Sequence, residues 1–264
     1  MKDIHVISLG AGVQSTTMLL MACRGEFEPK PDLVIFSDTG WEPKNVYEHL
    51  EWLKDEVKKH GIEIAVTNNG NIKEDIVNSI NDSKRFASLP FFVKNKDGST
   101  SMVRRQCTNE YKIMPVRKAI RNHLGYVPKQ RVKEMVHLWM GISTDEIQRV
   151  KESRERWITH RYPLIEKWMT RLDCMNWLQR NGYPVPPKSS CVGCPFHDNH
   201  MWLDMKRNDL ESWNEAVEMD REIRRLPQFK NEIYLHRSCV PLDQVNFNEN
   251  QIEMFEDCTG YCGV

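Results

Sequence analysis

The chain has 264 residues, and its 37 basic side chains balance 37 acidic ones. That length is enough for one sizeable α/β core, and the zero formal net charge lends no bulk support to a nucleic-acid partner. No run approaches the 18 or more apolar residues of a membrane span, so no membrane association is expected.

The N-terminal stretch I-H-V-I-S-L-G-A-G-V-Q-S, residues 4 to 15, reads as strand, tight turn and helix start. Ile4, Val6 and Ile7 suit a buried strand, and Gly10, Ala11 and Gly12 allow the turn. Met18 to Ala22 is good helix material. This arrangement points backbone N–H groups and a helix N-terminus at a phosphate or sulfate. It matches neither of the two common glycine-rich nucleotide patterns, and an ordinary strand-to-helix turn is the alternative. The run starts without a signal-like segment before it, which leads us to expect a cytoplasmic protein.

Leu33 to Ser37 is a continuous apolar run, as in a strand covered on both faces, and Asp38, Thr39 and Gly40 follow at its C-terminal end. Ligands sit at that edge of open parallel sheets, whereas a bland role for Asp38 is to cap the next helix. Val46, Leu50, Leu53 and Val57 recur at helical spacing and predict a helix over residues 43 to 59, stopped by Gly61. Residues 62 to 66 read as a third strand and 72 to 80 as a short helix. Residues 81 to 106, with Phe86, Phe91, Phe92 and then K-N-K-D-G-S-T-S, suit a flap or a hairpin.

Arg104, Arg105 and Lys112 form a positive group around Cys107, able to bind an anion and to lower a thiol pKa, or else to lie on a solvated face. Val116, Ile120 and Leu124 mark another helix, and Met135 to Met140 another strand. Ser143 with Glu146 reads as a capping box. Residues 172 to 179 and 200 to 224 read as helical, with Trp202, Met205, Trp213 and Val217 as core. The alternation of strands and helices predicts a parallel sheet flanked by helices over residues 1 to 165. A cysteine-containing, mostly helical region follows over 166 to 264, packed on the first part or continuous with it.

Eight cysteines are present, and several fall near the C-terminus. In a cytosolic chain such a set points to metal, cluster or thiol chemistry rather than to disulfides. Cys191-Val-Gly-Cys194 can ligate zinc or an iron–sulfur cluster, or form a redox disulfide.

Taken together, S-L-G-A-G-V-Q-S at 8 to 15, F-S-D-T-G at 36 to 40, C-T-N-E-Y-K-I-M-P at 107 to 115, G-I-S-T-D-E at 141 to 146 and C-V-G-C-P at 191 to 195 resemble the phosphoadenosine phosphosulfate reductase family. That family lies within the adenine nucleotide α-hydrolases, which bind through a pyrophosphate loop. The resemblance implies that Ser8, Gly10, Gly12 and Ser15 form the phosphate or sulfate loop, with Asp38 and Thr39 near the nucleotide. It matches Lys112 to the family's basic residue, and Arg104, Arg105 and Lys112 are the expected substrate-anion contacts if the substrate is a sulfonucleotide. It further implies that Cys107, Cys191 and Cys194 match three of the four ligands of a 4Fe–4S cluster. Position 108 is threonine where cluster-containing members have a second cysteine. Cys258 is the expected fourth ligand, because a glycine-containing tail can fold back, and zinc is the alternative metal. Cys262-Gly263 resembles the attacking cysteine-glycine tail, which makes Cys262 and Lys112 the candidate catalytic residues.

Gln14 stands where ATP-dependent members carry an aspartate, which mildly favours a sulfonucleotide. The first expectation is therefore an enzyme acting on an adenine sulfonucleotide by thiol chemistry, served by a thiol reductant and able to form homo-oligomers. The second is ATP- and magnesium-dependent sulfur insertion into nucleic acid through an adenylated intermediate. The third is a noncatalytic nucleotide-binding protein with a structural metal site.

Overall fold

A computed structural model describes residues 3–82 and 89–247. Phe86, Cys258 and Cys262 lie outside the described residues. The first half runs β1 (Asp3–Leu9), α1 (Val13–Cys23), β2 (Leu33–Asp38), α2 (Lys44–Lys58), β3 (Ile64–Asn68) and α3 (Ile72–Asp82). A short hairpin, β4 (Phe92–Lys94) and β5 (Thr100–Met102), precedes α4 (Met114–His123) and β6 (Met135–Met140). Then come β7 (Ile158–Arg161), α5 (Pro163–Glu166), α6 (Arg171–Arg180), α7 (Asn199–Asn208), α8 (Leu210–Ile223) and β8 (Ile233–Tyr234).

Five strands form a parallel sheet in the order β3-β2-β1-β6-β7. The chain builds outward from β1 on one side, then returns to pair β6 with the other side of β1. The strand order therefore reverses at β1, and the crevice at the C-terminal ends of β1 and β6 is the place where such sheets take ligands. Alternation within the strands explains the two cores. Ile7, Leu9, Val34 and Phe36 face a core shared with α1, α2 and α6. Val6, Ile35, Val136 and Leu138 face the opposite core with Val116 and Ile120 of α4. Residues Val13 to Ala22 of α1 are all buried, so that helix has no solvent side toward which to shift.

A third core joins Trp41, Ile72, Ile76 and Tyr111 to Trp202, Met205, Trp213 and Leu235. Residues from both sides of position 165 thus share this core and the α1/α2/α6 core. The segment expected as flap or hairpin contains β4 and β5, paired antiparallel, with β8 adding a third strand. No described helix is long and apolar enough to cross a membrane.

Two local expectations shift. Ile62 is not in a strand: Gly61 takes a left-handed φ of 68°, and the Ile62 N–H turns back to the Val57 carbonyl, closing α2. The third strand starts two residues later in consequence. Ser143 does begin a helical turn, but a 3₁₀ turn over Thr144–Arg149 without a side-chain cap. Its hydroxyl accepts from Gln14 Nε2 at 3.4 Å, and Glu146 turns to Gln14 and Arg149 instead of to the backbone.

His49, His197 and His236 are folded into the interior, and burial shifts two of them. Burial pushes His49 down to about 4 from 6.5, with its Nε2 standing 3.1 Å from Thr16 Oγ1. Burial, helped by Arg237, also pushes His236 down to about 4. Each stays neutral in the folded chain while the unfolded chain takes up a proton below about pH 6.5. Stability is therefore complete above that pH and is lost as pH falls toward 4. Near pH 5 the loss is about 2 kcal/mol for each histidine. Urea unfolding at pH 7 and pH 5 checks this, and replacing His49 by glutamine should flatten part of the slope. A pH-independent midpoint would contradict the assignment.

Candidate functional site

The cleft at the reversal point is lined by Ser8, Gly10, Gly12, Gln14 and Ser15, by Ser37 of β2, and by Met140, Gly141 and Ile142 after β6. Ala11 holds a left-handed φ of 56° and is fully buried. This non-glycine residue in that region tightens the turn so that successive backbone groups curl around the cleft. Gly12 is the N-cap of α1 and supplies no capping side chain, which leaves the helix N-terminus for an anion. Ser15 braces the loop: its hydroxyl accepts from the Gly10 N–H and donates to the Gly12 carbonyl, both at 3.3 Å.

Among the described residues, four cations line the cleft, Lys112, Arg149, Arg171 and Lys188, against one lining carboxylate, Glu146, with Lys112 also 3.5 Å from the buried Glu42. Gln14 organises this wall. Its Nε2 donates to Glu146 Oε2 at 3.2 Å, and its Oε1 accepts from Arg171 at 3.3 Å. Glu146 in turn pairs with the buried Arg149 at 2.8 Å. Excess positive charge in a walled crevice favours a polyanionic ligand. Arg171 and Lys188 were not singled out from the sequence. Lys188 is followed by two serines and the C-x-x-C, and that adjacency is the one signal that could have drawn notice.

Lys112 reaches the cleft because of the proline three residues on. Residues Asn109–Ile113 form a single π-helical turn leading into α4, with Pro115 in the first turn of that helix. Pro115 has no N–H to give to the carbonyl four residues back. That Tyr111 carbonyl accepts instead from Ser37 Oγ at 2.7 Å, and the Tyr111 hydroxyl donates to Asp75 at 2.6 Å. The widened turn is thereby pinned to the sheet edge, a setting in which π-turns recur at functional sites.

A second cavity lies on the other side of Lys112. Cys107, Cys191 and Cys194 line it together with Thr39, Arg105, Thr108 and Lys112. The Arg105 guanidinium lies 5.3 Å from the Phe196 ring centre. Arg104 is exposed and lines neither cavity. Asp38 lines neither as well. Its Oδ1 accepts from the Gly40 N–H at 2.8 Å and from the Tyr47 hydroxyl at 2.9 Å, which shapes the turn after β2. Thr39 faces the cysteines, 3.3 Å from Cys191 Sγ. Burial holds Cys174 up at about 12 and Cys23 up at about 11, so neither is a ready thiolate. Among the described residues, no three His, Cys, Asp or Glu donors converge on a single ion.

The C-x-x-C loop is clamped to the edge of β2. The Val192 N–H donates to the Trp41 carbonyl at 2.8 Å, and Gly193 lies flat on the Trp41 ring. A methyl group at 193 would overlap that ring. Gly193→Ala should therefore destabilise the protein by about 2 kcal/mol, lowering Tm by roughly 4–8 °C in a chain of this size. Thermal unfolding followed by circular dichroism measures this, and an unchanged Tm would show that the loop is free to lift.

The model of the phosphoadenosine phosphosulfate reductase domain matches residues 4–187. Comparison with curated proteins gives no match. The match spans the sheet and most of the cleft lining, including Lys112, Arg149 and Arg171, and stops one residue before Lys188. The chain belongs to the phosphoadenosine phosphosulfate reductase domain family.

Proposed function

We propose that the protein is a sulfonucleotide enzyme that cleaves the sulfur–oxygen bond of an adenine sulfonucleotide by thiol attack. The family is one of adenine-nucleotide and sulfonucleotide enzymes. The observation that carries the finer reading is the position of Lys112 in the shared wall of the phosphate-loop cleft and the three-cysteine cavity. A cation there can neutralise an anion whose phosphate lies in the loop and whose sulfate faces the cysteines.

In this reading Ser8, Gly10, Gly12 and Ser15 hold the phosphate, while Arg149, Arg171 and Lys188 neutralise the remaining charge. The Cys262 thiolate attacks sulfur. A sulfur–sulfur bond forms, the bond from sulfur to the bridging oxygen breaks, and the nucleotide leaves with that electron pair on its phosphate. A second thiol then attacks the Cys262 sulfur and releases sulfite, leaving a disulfide. An external dithiol reduces the disulfide and carries away the two electrons' worth of oxidation. Homo-oligomer formation is compatible with this scheme and is not required by it.

The donor set of the second cavity fits a 4Fe–4S cluster better than zinc. Three thiols face one space beside Arg105 and Lys112, whose charges offset thiolates, and a cluster places each cysteine on a different iron. Zinc asks its donors to meet at one point. Cys107, Cys191 and Cys194 would hold the cluster. When bound, it supplies a polarising iron–sulfide centre next to the substrate anion.

ATP-dependent sulfur insertion into nucleic acid is the second reading. The observation in its favour is Trp168, 82% exposed, close in sequence to Arg171 of the cleft wall, since exposed aromatic rings stack bases. Magnesium finds a poor seat in the described cleft: its lone carboxylate, Glu146, is already engaged by Arg149 and Gln14. The deciding experiment incubates the full chain with adenylyl sulfate or phosphoadenylyl sulfate and a dithiol, with sulfite as the readout. In parallel it is incubated with ATP, magnesium and single-stranded DNA or RNA, with AMP and pyrophosphate as the readout. Sulfite release supports the first reading. Nucleic-acid-dependent AMP formation without sulfite replaces it with the second. Stoichiometric nucleotide binding with neither product would favour the noncatalytic alternative.

A further inference from the structure

Gln14 lies in the first turn of α1, a helix buried from Val13 to Ala22, and is buried with it. A buried primary amide is costly unless its donors and its acceptor are engaged. Here they are. Nε2 donates to Glu146 Oε2 at 3.2 Å and to Ser143 Oγ at 3.4 Å, and Oε1 accepts from Arg171 Nη1 at 3.3 Å. These partners fix which way the amide faces: turned over, it would set its oxygen against a carboxylate and its N–H groups against a guanidinium. The Arg171 guanidinium and the Glu146 carboxylate therefore stand at opposite ends of one amide group.

Other bonds keep these two charges close. Thr144 donates to the Met169 carbonyl through its N–H at 2.9 Å and through its hydroxyl at 3.1 Å, and the Arg171 N–H donates to the Asp145 carboxylate at 3.1 Å. Glu146 and Arg171 are thus anchored on neighbouring segments by contacts that do not involve Gln14. Arg171 is exposed and long, so without the amide between them the guanidinium would close on the carboxylate, and the cleft would lose a cation. Two other cations of the cleft already face carboxylates: Arg149 lies 2.8 Å from Glu146, and Lys112 lies 3.5 Å from Glu42. Arg171 instead faces a neutral amide, which orients it and leaves its charge in place. Resting on the reading of this cleft as the seat of the substrate anion, we propose that Gln14 is a positioning residue: its amide keeps Arg171 apart from Glu146 and so reserves that guanidinium for the anionic groups of the nucleotide. A neutral, two-ended spacer is suited to this. An apolar side chain lets the two charges meet, and a carboxylate neutralises Arg171 itself. The glutamine thereby tunes ligand choice, since the attraction it protects is the part that grows with ligand charge.

The test is calorimetric titration of the full chain with adenylyl sulfate and with ADP, at low and at moderate salt. Wild type is compared with Gln14→Ala, Arg171→Ala, Glu146→Gln and the two double variants that combine Gln14→Ala with each of the others. Gln14→Ala should weaken binding by about 10–100-fold, as the loss of a charged hydrogen bond to the ligand does. Its affinity should also depend less steeply on salt, with the same slope as Arg171→Ala. In the Arg171→Ala or the Glu146→Gln background, Gln14→Ala should cost less than about threefold, because either the guanidinium or the carboxylate that captures it is already gone. Binding within about threefold of wild type in Gln14→Ala would overturn the proposal. So would a cost that persists undiminished in either background, which would make Gln14 only a brace of the wall. If Gln14→Ala does not fold, Gln14→Met, which fills the same space and makes neither bond, is measured in its place. The two ligands separate this inference from the reading it rests on. Wild type that binds ADP but not adenylyl sulfate removes the sulfonucleotide reading, and the Gln14 comparison is then decided with ADP. Adenylyl sulfate binding without coupling between Gln14 and Arg171 removes the Gln14 inference alone, and a wild type that binds neither ligand overturns both.

Discussion

Lys112→Ala is expected to lower kcat/KM for the sulfonucleotide by about three orders of magnitude, the largest single effect from a described residue. Two terms contribute. The lysine borders both cavities, and in the proposed reaction that places it where negative charge would grow on the departing phosphate as the thiolate attacks sulfur. A fixed cation in a desolvated wall acts on that developing charge without reorganising, and losing one such group costs roughly a hundred- to a thousandfold. The lysine also stands 3.5 Å from Glu42, and the two side chains are 14% and 1% exposed. Removing it strands a buried carboxylate, a loss of about 3 kcal/mol in stability. Steady-state kinetics and urea unfolding read the two terms separately. Should kcat/KM stay within about threefold of wild type, Lys112 would serve only its pair with Glu42 and the shared-wall argument would fail.

The second large effect belongs to Gly141, the first residue of the G-I-S-T-D-E stretch. A Cβ at this position would lie 2.7 Å from Ser15 Cα and 2.8 Å from Ser15 N. Both are backbone atoms of the phosphate loop, so no side chain can swing aside. The loop cannot retreat into the fold either, because every residue of α1 from Val13 to Ala22 is buried. In Gly141→Ala the loop must be pushed toward the ligand or the β6 edge must lift. Overpacking of this kind costs about 1–3 kcal/mol, and a displacement near 1 Å at a binding nest can cost about a hundredfold. We expect affinity for adenine nucleotides to fall by about 10–100-fold while the circular dichroism spectrum keeps its α/β shape. Calorimetry with adenylyl sulfate is the direct measurement. Wild-type affinity in this variant would mean that the anion does not sit on the loop.

The parallel sheet and its helices were legible because their signals are short-range. Ile4, Val6 and Ile7 mark a short buried strand, the continuous apolar run at 33–37 marks one covered on both faces, and the spacing of Val46, Leu50, Leu53 and Val57 marks a helix with one buried stripe. The tight turn after β1 was legible for the same reason: turn, helix start and hydroxyl all fall within eight residues. The pair Ser143 and Glu146 shows where local reading stops. Their spacing suits a capping box, but Gln14 and Arg149 compete for both side chains in the folded wall, and the longer-range bonds prevail.

What the sequence determined by itself, then, is the order of strands and helices, the tight turn between the first strand and its helix, and the kinds of donor available near the C-x-x-C. Each follows from backbone propensity and side-chain periodicity within a few residues. Only the tertiary structure decided that Arg171 and Lys188 close the cleft, that Lys112 stands between the cleft and the thiols, and that Glu42 meets Cys191 across 149 positions of chain. These contacts arise because the strand order reverses at β1 and the C-x-x-C loop packs on Trp41. Burial of apolar surface drives that packing, and it carries the polar groups to their places without leaving a trace in local spacing.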